Sequence, residues 1–520
     1  MAKREAQKEY TESHKEVKKS IKQDKRKYVD NLAQQAEEAA GKRNMKEVYD
    51  ITRKLAGRPK VADRPAVKDK NGITLTNQSD QLKRWAEHFR ELLNRPPPIE
   101  PDEIDPAETP LEVDTAKPTR LEIKKAIKQL KAGKAPGPDG VPPEAIKANL
   151  DTSTDMLHNL FGKIWDEEEL PDEWKQGHLI KLPKKGDLKE CKNWRGIMLL
   201  STAGKVLNRI ILERIKDELD NRLREEQAGF HWIMKTTLEG QRLGIQWTLR
   251  TRLEDLDFAD DLALMSHTLP DMQKKVDKLT VTSSKAGLNI NRKKTEAIRV
   301  NNRSEESVKL NGEQIADVEE FTYLGSVVNK EGGSDRDITA RLGKARAAFI
   351  CLNPVWRSRV IGRKTKLRIL STNVKSVLLY GSETWRTTKA ISRKIQTFVN
   401  RCLRRILQIY WPDTISNEDL WRTTGQEKME MQIKRRRWGW IGHTLRKPNT
   451  NITKQALRWN PQGKRKRGRP RNSWRRTVEG EMRETGFNWQ QMERQAQDRV
   501  GWRGVLKDLC PTRGERDSTN

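Results

Sequence analysis

The sequence predicts an α+β body followed by a basic α-helical region. Three observations carry this expectation. Helical and strand periods alternate between Leu121 and about Glu296, the pair Asn311–Gly312 sits between alternating residues, and from about Thr339 the pattern turns helical and basic. A chain of 520 residues exceeds what a single hydrophobic core usually serves, so several units are expected.

Taken in order, residues 1–57 are rich in Lys, Glu, Gln and Ala, with apolar positions too sparse for a core, and predict an exposed basic helical arm. Residues 58–120 follow, and their Pro-rich, acidic stretch Pro96–Pro118 has little to bury and predicts a linker. Within residues 121–300, LEIKKAIKQLKAG and AGKVLNRIILERIKDEL carry helical spacing, the latter aligning Val206, Ile210, Ile211 and Ile215 on one face. The runs Gly177–Leu182 and Ile197–Leu200 predict strands. Residues 301–410 contain the Asn-Gly hairpin signal and then helical, basic chain, and residues 411–520 form a Trp/Arg-rich tail.

The 104 Lys and Arg outnumber 73 Asp and Glu, a formal net charge of +31, which calls for a polyanionic partner. Tryptophans interleaved among the basic residues favour nucleic acid over an anionic membrane surface. The four cysteines, Cys191, Cys351, Cys402 and Cys510, are far apart and form no Cys-x-x-Cys pair, which argues against a disulfide framework or a zinc knuckle and for a reducing, intracellular setting. The basic N-terminus has no apolar signal core, and no apolar run approaches the roughly 18 residues that span a bilayer, so no membrane role is expected.

The chemistry-bearing stretch is FADDLAL, Phe258–Leu264, flanked by alternating apolar positions. Adjacent carboxylates Asp260 and Asp261 at a hairpin tip suit Mg²⁺, with Mn²⁺ as an alternative, because such ions take one or two carboxylates and complete their shell with water and substrate phosphates. An Asp pair at a turn is more often merely solvated.

The surrounding words decide between these. LKAGKAPGPDGVPPEAIK (Leu130–Lys147), WKQGHLIKLPKKGDLKECKNWRGIMLLSTAGKVLNRII (Trp174–Ile211), EEQAGF (Glu225–Phe230), FADD and GLNINRKKTE (Gly287–Glu296) resemble, in order, the fingers and palm motifs of non-LTR (LINE-type, RTE-like) retrotransposon reverse transcriptases. The resemblance continues through FTYLGSVV (Phe321–Val328) and YGSETW (Tyr380–Trp385), so it covers most of the chain after residue 121. It implies fingers and a truncated palm in residues 121–300, a palm end and helical thumb-like region in residues 301–410, and a nucleic-acid-binding tail in residues 411–520. It further implies that Asp260 and Asp261 are catalytic metal ligands and that Lys184 and Arg195 grip the triphosphate of an incoming dNTP. Lys294 matches the residue proposed to protonate the pyrophosphate leaving group. RNA template and DNA primer or target are the implied partners.

One part of the family pattern is missing. Between EEQAGF and FADD the family carries a strand with its other essential aspartate, a helix, and a Gly-containing motif, whereas here Gln227 and Asp260 are 33 residues apart. A strand-helix-strand unit alone needs roughly 30. Glu239 lies in a turn-like segment, and Glu254, Asp255 and Asp257 belong to the FADD segment itself, so none replaces the lost carboxylate. WIMKTT, Trp232–Thr237, is similar to the family's strand downstream of the lost block, which places the join near His231. Two-metal phosphoryl transfer needs carboxylates from two elements, so the expectation is a nucleic-acid-binding protein impaired in polymerisation. The alternatives are an active RNA-directed DNA polymerase, or an incorrectly joined gene model of one. No endonuclease-like region precedes the arm, so target cleavage is not expected of this chain.

In the tail, KRRRWGWIGHTLRK and KRKRGRPRNSWRR combine charge with tryptophan, and Arg435, Arg436, Arg437, Trp438, Trp440, Lys464, Arg465, Lys466, Arg467, Arg469, Arg471 and Trp474 are the expected nucleic-acid contacts. The core RGRP also resembles an AT-hook. Competing roles are a nuclear localisation signal, consistent with an expected nuclear address, and tryptophans filling a small core, the role expected of Trp385 and Trp421. His443 and Cys402 stand far from other ligands, so no zinc site is expected in the tail.

Overall fold

The computed structural model describes residues 2–42, 44–56, 66–94, 97, 112–184, 186–222, 231–248, 251–300, 306–459, 472–484 and 486–510. It is α+β, dominated by helices, and every sheet among the described residues has two strands. The chain divides into two compact units, one of Lys60–Gly244 with Glu254–Asn291, the other of Met1–Pro59, Ile245–Leu253 and Arg292–Asn520. No described helix is long and apolar enough to cross a membrane.

The first unit contains small separate cores. The helix Arg120–Gln129 starts at a capping box in which Thr119 and Glu122 satisfy each other's backbone donors. Its Ile123, Ala126 and Ile127 pack on Leu157, Phe161 and Ile164 of Leu150–Glu167 and on Val206, Leu207 and Ile210 of Thr202–Arg222. Val206, Ile210 and Ile211 thus share the core side that their spacing predicts, with Ile211 partly buried. The strands expected near Gly177–Leu182 and Ile197–Leu200 form as His178–Pro183 and Trp194–Leu199, an antiparallel ribbon running from His178↔Leu199 to Pro183↔Trp194.

WIMKTT departs from expectation. It is not a strand but part of the helix His231–Leu238, with Ile233, Met234 and Thr237 buried and Leu238 partly so. These positions recur at i, i+1, i+4 and i+5, one face of a helix, and a short apolar run does not by itself distinguish the two structures.

The second unit corrects the expectation of a free-standing arm. Ala2–Gly41 and Met45–Leu55 are helices, as predicted, but Leu32, Ala33, Ala36, Ala39, Val48, Ile51 and Leu55 are buried in one core with Ile338, Trp356, Leu378, Trp385 and Leu403. The stripe 32, 33, 36, 39 has helical spacing, and its alanines permit close approach. The Gly362 amide donates to the Glu37 carboxylate at 2.9 Å. Asn311 and Gly312, at φ 51° and 80°, turn Lys309–Leu310 back onto Glu313–Gln314, as the Asn-Gly signal predicts. A further core joins Trp438, Ile441, Leu445, Val478, Met492 and Trp502.

Candidate functional site

FADD forms the predicted hairpin. Asp255–Phe258 pairs antiparallel with Asp261–Leu264, ending at Phe258↔Asp261, so Ala259 and Asp260 make a two-residue turn. Ala259 has φ +54°, in the left-handed region that an L side chain occupies only at a cost. Asp260 and Asp261 are both exposed. Leu262 and Leu264 anchor the ribbon on Ile233, Met234 and Leu279.

The hairpin base is held by a residue that sequence reasoning missed. Lys275, on the helix Leu269–Lys285, is completely buried. Its Nζ donates to the carbonyls of Glu254 at 2.9 Å and Met265 at 2.7 Å, the residues flanking the two strands, and pairs with the Glu254 carboxylate. The Met265 amide closes the base on the Glu254 carbonyl at 2.8 Å. A signal was present: Lys275 lies on the stripe formed by Val276, Leu279, Thr282 and Ser283, where a solvated lysine has no place.

Lys184 and Arg195 come together on the other ribbon. Leu182 pairs with Arg195, and the Lys184 amide extends the ladder by donating to the Asn193 carbonyl at 2.7 Å. Strand alternation then puts Lys184 and Arg195 diagonally on one face, and both are exposed. The opposite face carries Trp194 onto Trp85, ring centroids 5.7 Å apart, with Lys181 4.2 Å over the Trp85 ring. Gly196 is required there, because a Cβ would lie 2.8 Å from Phe89. Lys294 ends a short 3-10 turn, Arg292–Lys294, is exposed, and belongs to the other compact unit.

The tail residues divide by burial. Arg437 is 1% exposed, pairs with Glu481, and donates to the Trp385 carbonyl at 3.2 Å. Trp438 is fully buried and donates to Glu481 at 2.8 Å. These two are core residues, which corrects their expected role as nucleic-acid contacts: a ring enclosed by protein has no face for a base. Arg435 is bound bidentately by Glu427, with both contacts at 2.7 Å, and Arg436 is exposed. Trp440 and Trp474 meet edge to face at 6.1 Å, and Trp474 donates to the Glu383 carbonyl at 2.7 Å. Trp385 is buried and Trp421 partly buried, as expected. Lys464, Arg465, Lys466, Arg467, Arg469 and Arg471 lie outside the described residues.

A family model described as a domain of unknown function, DUF6451, matches residues 348–380. The chain is 28% identical over 273 residues to a putative uncharacterized transposon-derived protein of Caenorhabditis elegans, covering 49% of this chain and 95% of that protein. It is 29% identical over 164 residues to the uncharacterized 149 kDa protein of transposon TX1 from Xenopus laevis, and 32% identical over 145 residues to the probable RNA-directed DNA polymerase from transposon BS of Drosophila melanogaster. The proteins to which this chain is similar come from non-LTR retrotransposons, at about 30% identity, which supports a reverse-transcriptase-like protein. The chain spans nearly all of the nematode relative but only 12% of the TX1 protein and 16% of the BS polymerase.

The aspartate hairpin is a two-stranded sheet, with no third strand paired to it among the described residues. Residues 223–230, which include Gln227, lie outside the described residues, and the helix His231–Leu238 follows. Glu254 is committed to Lys275, Asp255 and Asp257 stand on the hairpin itself, and Glu239 is exposed in a turn. Among the described residues no group of three or more His, Cys, Asp or Glu side chains is arranged to hold a metal ion. The donor set at the turn, two adjacent exposed carboxylates, fits one loosely held Mg²⁺ completed by water, not a clamped pair of ions.

Proposed function

We propose that this protein is the fingers, partial palm and thumb-like portion of a retrotransposon RNA-directed DNA polymerase, retaining affinity for RNA and DNA while impaired in nucleotide transfer. The reading is carried by the two-stranded aspartate hairpin, whose tip offers Asp260 and Asp261 with no carboxylate from a neighbouring strand among the described residues. In this assignment the ribbon His178–Pro183/Trp194–Leu199 is the fingers element and presents Lys184 and Arg195 to the triphosphate of a dNTP, Arg as a fork and Lys as a compact charge. Asp260 and Asp261 would hold Mg²⁺, or Mn²⁺, whose chemistry is to neutralise charge on transferring phosphoryl oxygens. Lys294 would act on the leaving pyrophosphate. Excess positive charge and the polymerase relatives support nucleic acid as partner.

Primer extension tests this. Purified protein given primer, RNA template, dNTPs and Mg²⁺ should incorporate no more than a variant carrying Asp260→Asn and Asp261→Asn. Extension that depends on Asp260 would establish the rival reading, a working polymerase.

A further inference from the structure

A cavity of about 410 Å³ opens in the second unit, lined by Ser371, Lys375, Ser376, Glu427, Arg435 and Arg436 among others. One wall is unusual backbone: after the helix Arg363–Ile369 the chain widens into a π-helical turn, Leu370–Lys375. Such turns are rare and frequent at functional sites. With more than four residues per turn, Ser371, Lys375 and Ser376 share the side that lines the cavity.

The charges do not cancel. Glu427 is already bound bidentately by Arg435, which leaves Lys375 and Arg436 as the cations in excess. Lys375 is buried, and its hydrogen-bond partners are the neutral side-chain oxygens of Gln426 at 2.5 Å and Gln432 at 3.5 Å. Burial pushes its ammonium down to about 8, only partly opposed by Glu427 and Cys402. An apolar side chain there would carry no such penalty. Arg436 stands exposed at the rim and donates one N–H to the Leu379 carbonyl at 3.3 Å, leaving its other donors available. The Ser376 hydroxyl donates to the Thr372 carbonyl at 2.5 Å, so the donors facing the cavity are the two cations in excess and the Ser371 hydroxyl, a set that suits a doubly charged oxyanion better than a carboxylate.

We infer that this cavity is a phosphate-binding site, in which Lys375 and Arg436 grip a phosphate group of a nucleotide or nucleic-acid strand and the Ser371 hydroxyl adds a hydrogen bond. The site lies apart from the aspartate hairpin in sequence and stands whether or not the protein polymerises.

The test is binding by calorimetry and ³¹P NMR on the full chain, at about 0.3 M salt so that exposed charges are screened. The probes are inorganic phosphate, a nucleoside monophosphate and a short single-stranded oligonucleotide. Arg436→Ala, at the exposed rim, should weaken phosphate binding at least tenfold with the circular dichroism unchanged, and Lys375→Met should abolish it. Tighter, Lys375-dependent binding of the oligonucleotide would identify a strand phosphate as the ligand, and binding of the two small probes alone would identify a free nucleotide. Should Lys375→Met fail to fold, Arg436→Ala decides alone. Failure of the parent protein to bind any of the three probes, or binding that is unchanged in Arg436→Ala, overturns the assignment. The Asp260→Asn, Asp261→Asn protein should bind phosphate like the parent, which separates this site from the polymerase reading.

Discussion

The buried ammonium of Lys275 donates to the main-chain carbonyl of Glu254 at 2.9 Å and pairs with the carboxylate of the same residue. One side chain therefore ties the helix Leu269–Lys285 to the base of the aspartate hairpin. Removing one member of a buried ion pair leaves the other inadequately compensated and costs about 3 kcal/mol. Glu254→Gln should lower unfolding free energy by about that amount in urea titrations. In a double-mutant cycle with Lys275→Met, the coupling should exceed about 1 kcal/mol. Additive losses would mean that the pair does not act as a unit.

Ala259 turns the same hairpin at φ +54°. Glycine adopts this conformation without the Cβ clash, which for alanine costs about 1 kcal/mol. Ala259→Gly should therefore raise stability by about 0.5 kcal/mol after the added chain entropy of glycine, read as a higher melting temperature. A loss of stability would show that the turn is not held in this conformation in solution.

What was legible in the sequence was local in period. The ribbon at His178–Pro183 and Trp194–Leu199, the FADD hairpin and the helix Thr202–Arg222 follow from repeats of 2.0 and 3.6 residues that neighbours alone set. What was not legible depended on partners distant in the chain. Lys275 is explained by Glu254 and Met265, Arg437 by Glu481 and Trp385, and Trp438 by Glu481. The word KRRRWGW reads as a solvated basic run, yet Ile433, Arg437, Ile441 and Leu445 recur every four residues and form the buried side of Met429–Leu445. Charge density hid a helical stripe. The same holds for the helix Ala2–Gly41, where four buried positions among otherwise solvated ones were too few to distinguish without their docking partner.

Arg214 holds Glu122 through Nε at 2.6 Å and Nη2 at 2.8 Å, and this pushes the Glu122 carboxyl from the ordinary 4.5 down to about 2. Its folded value is depressed, so the stability it confers is present above pH 4.5 and is lost as pH falls towards 2. The contribution is about 1–2 kcal/mol after allowance for solvent screening. Arg214→Leu should be less stable than the parent at pH 7, and the two should converge by about pH 2 in acid titrations followed by circular dichroism.

Lys375 has the opposite consequence. Its folded value, about 8, lies below the ordinary 10.5, so between these limits the unfolded chain binds more protons than the folded one, and stability rises with pH. Relative to a Lys375→Met variant, the parent should gain stability between pH 8 and pH 10.5 and be the less stable of the two below pH 8. A parallel pH response in the two proteins would mean that the ammonium is solvated.

Two groups of basic and aromatic residues in the tail should respond differently to substitution. Trp438 is enclosed by the tail core, so Trp438→Ala should cost about 3–5 kcal/mol in stability and leave the affinity of the folded fraction for RNA unchanged. Neutralising Lys464, Arg465, Lys466, Arg467, Arg469 and Arg471 should do the reverse. Each cation that no longer neutralises a phosphate takes about 0.7 off the logarithmic salt slope on a single strand. The slope should therefore fall by roughly 4 if all six engage, with the melting temperature of the protein preserved. Equal salt slopes before and after neutralisation would move nucleic-acid binding away from this cluster, to the exposed cations of the described helices.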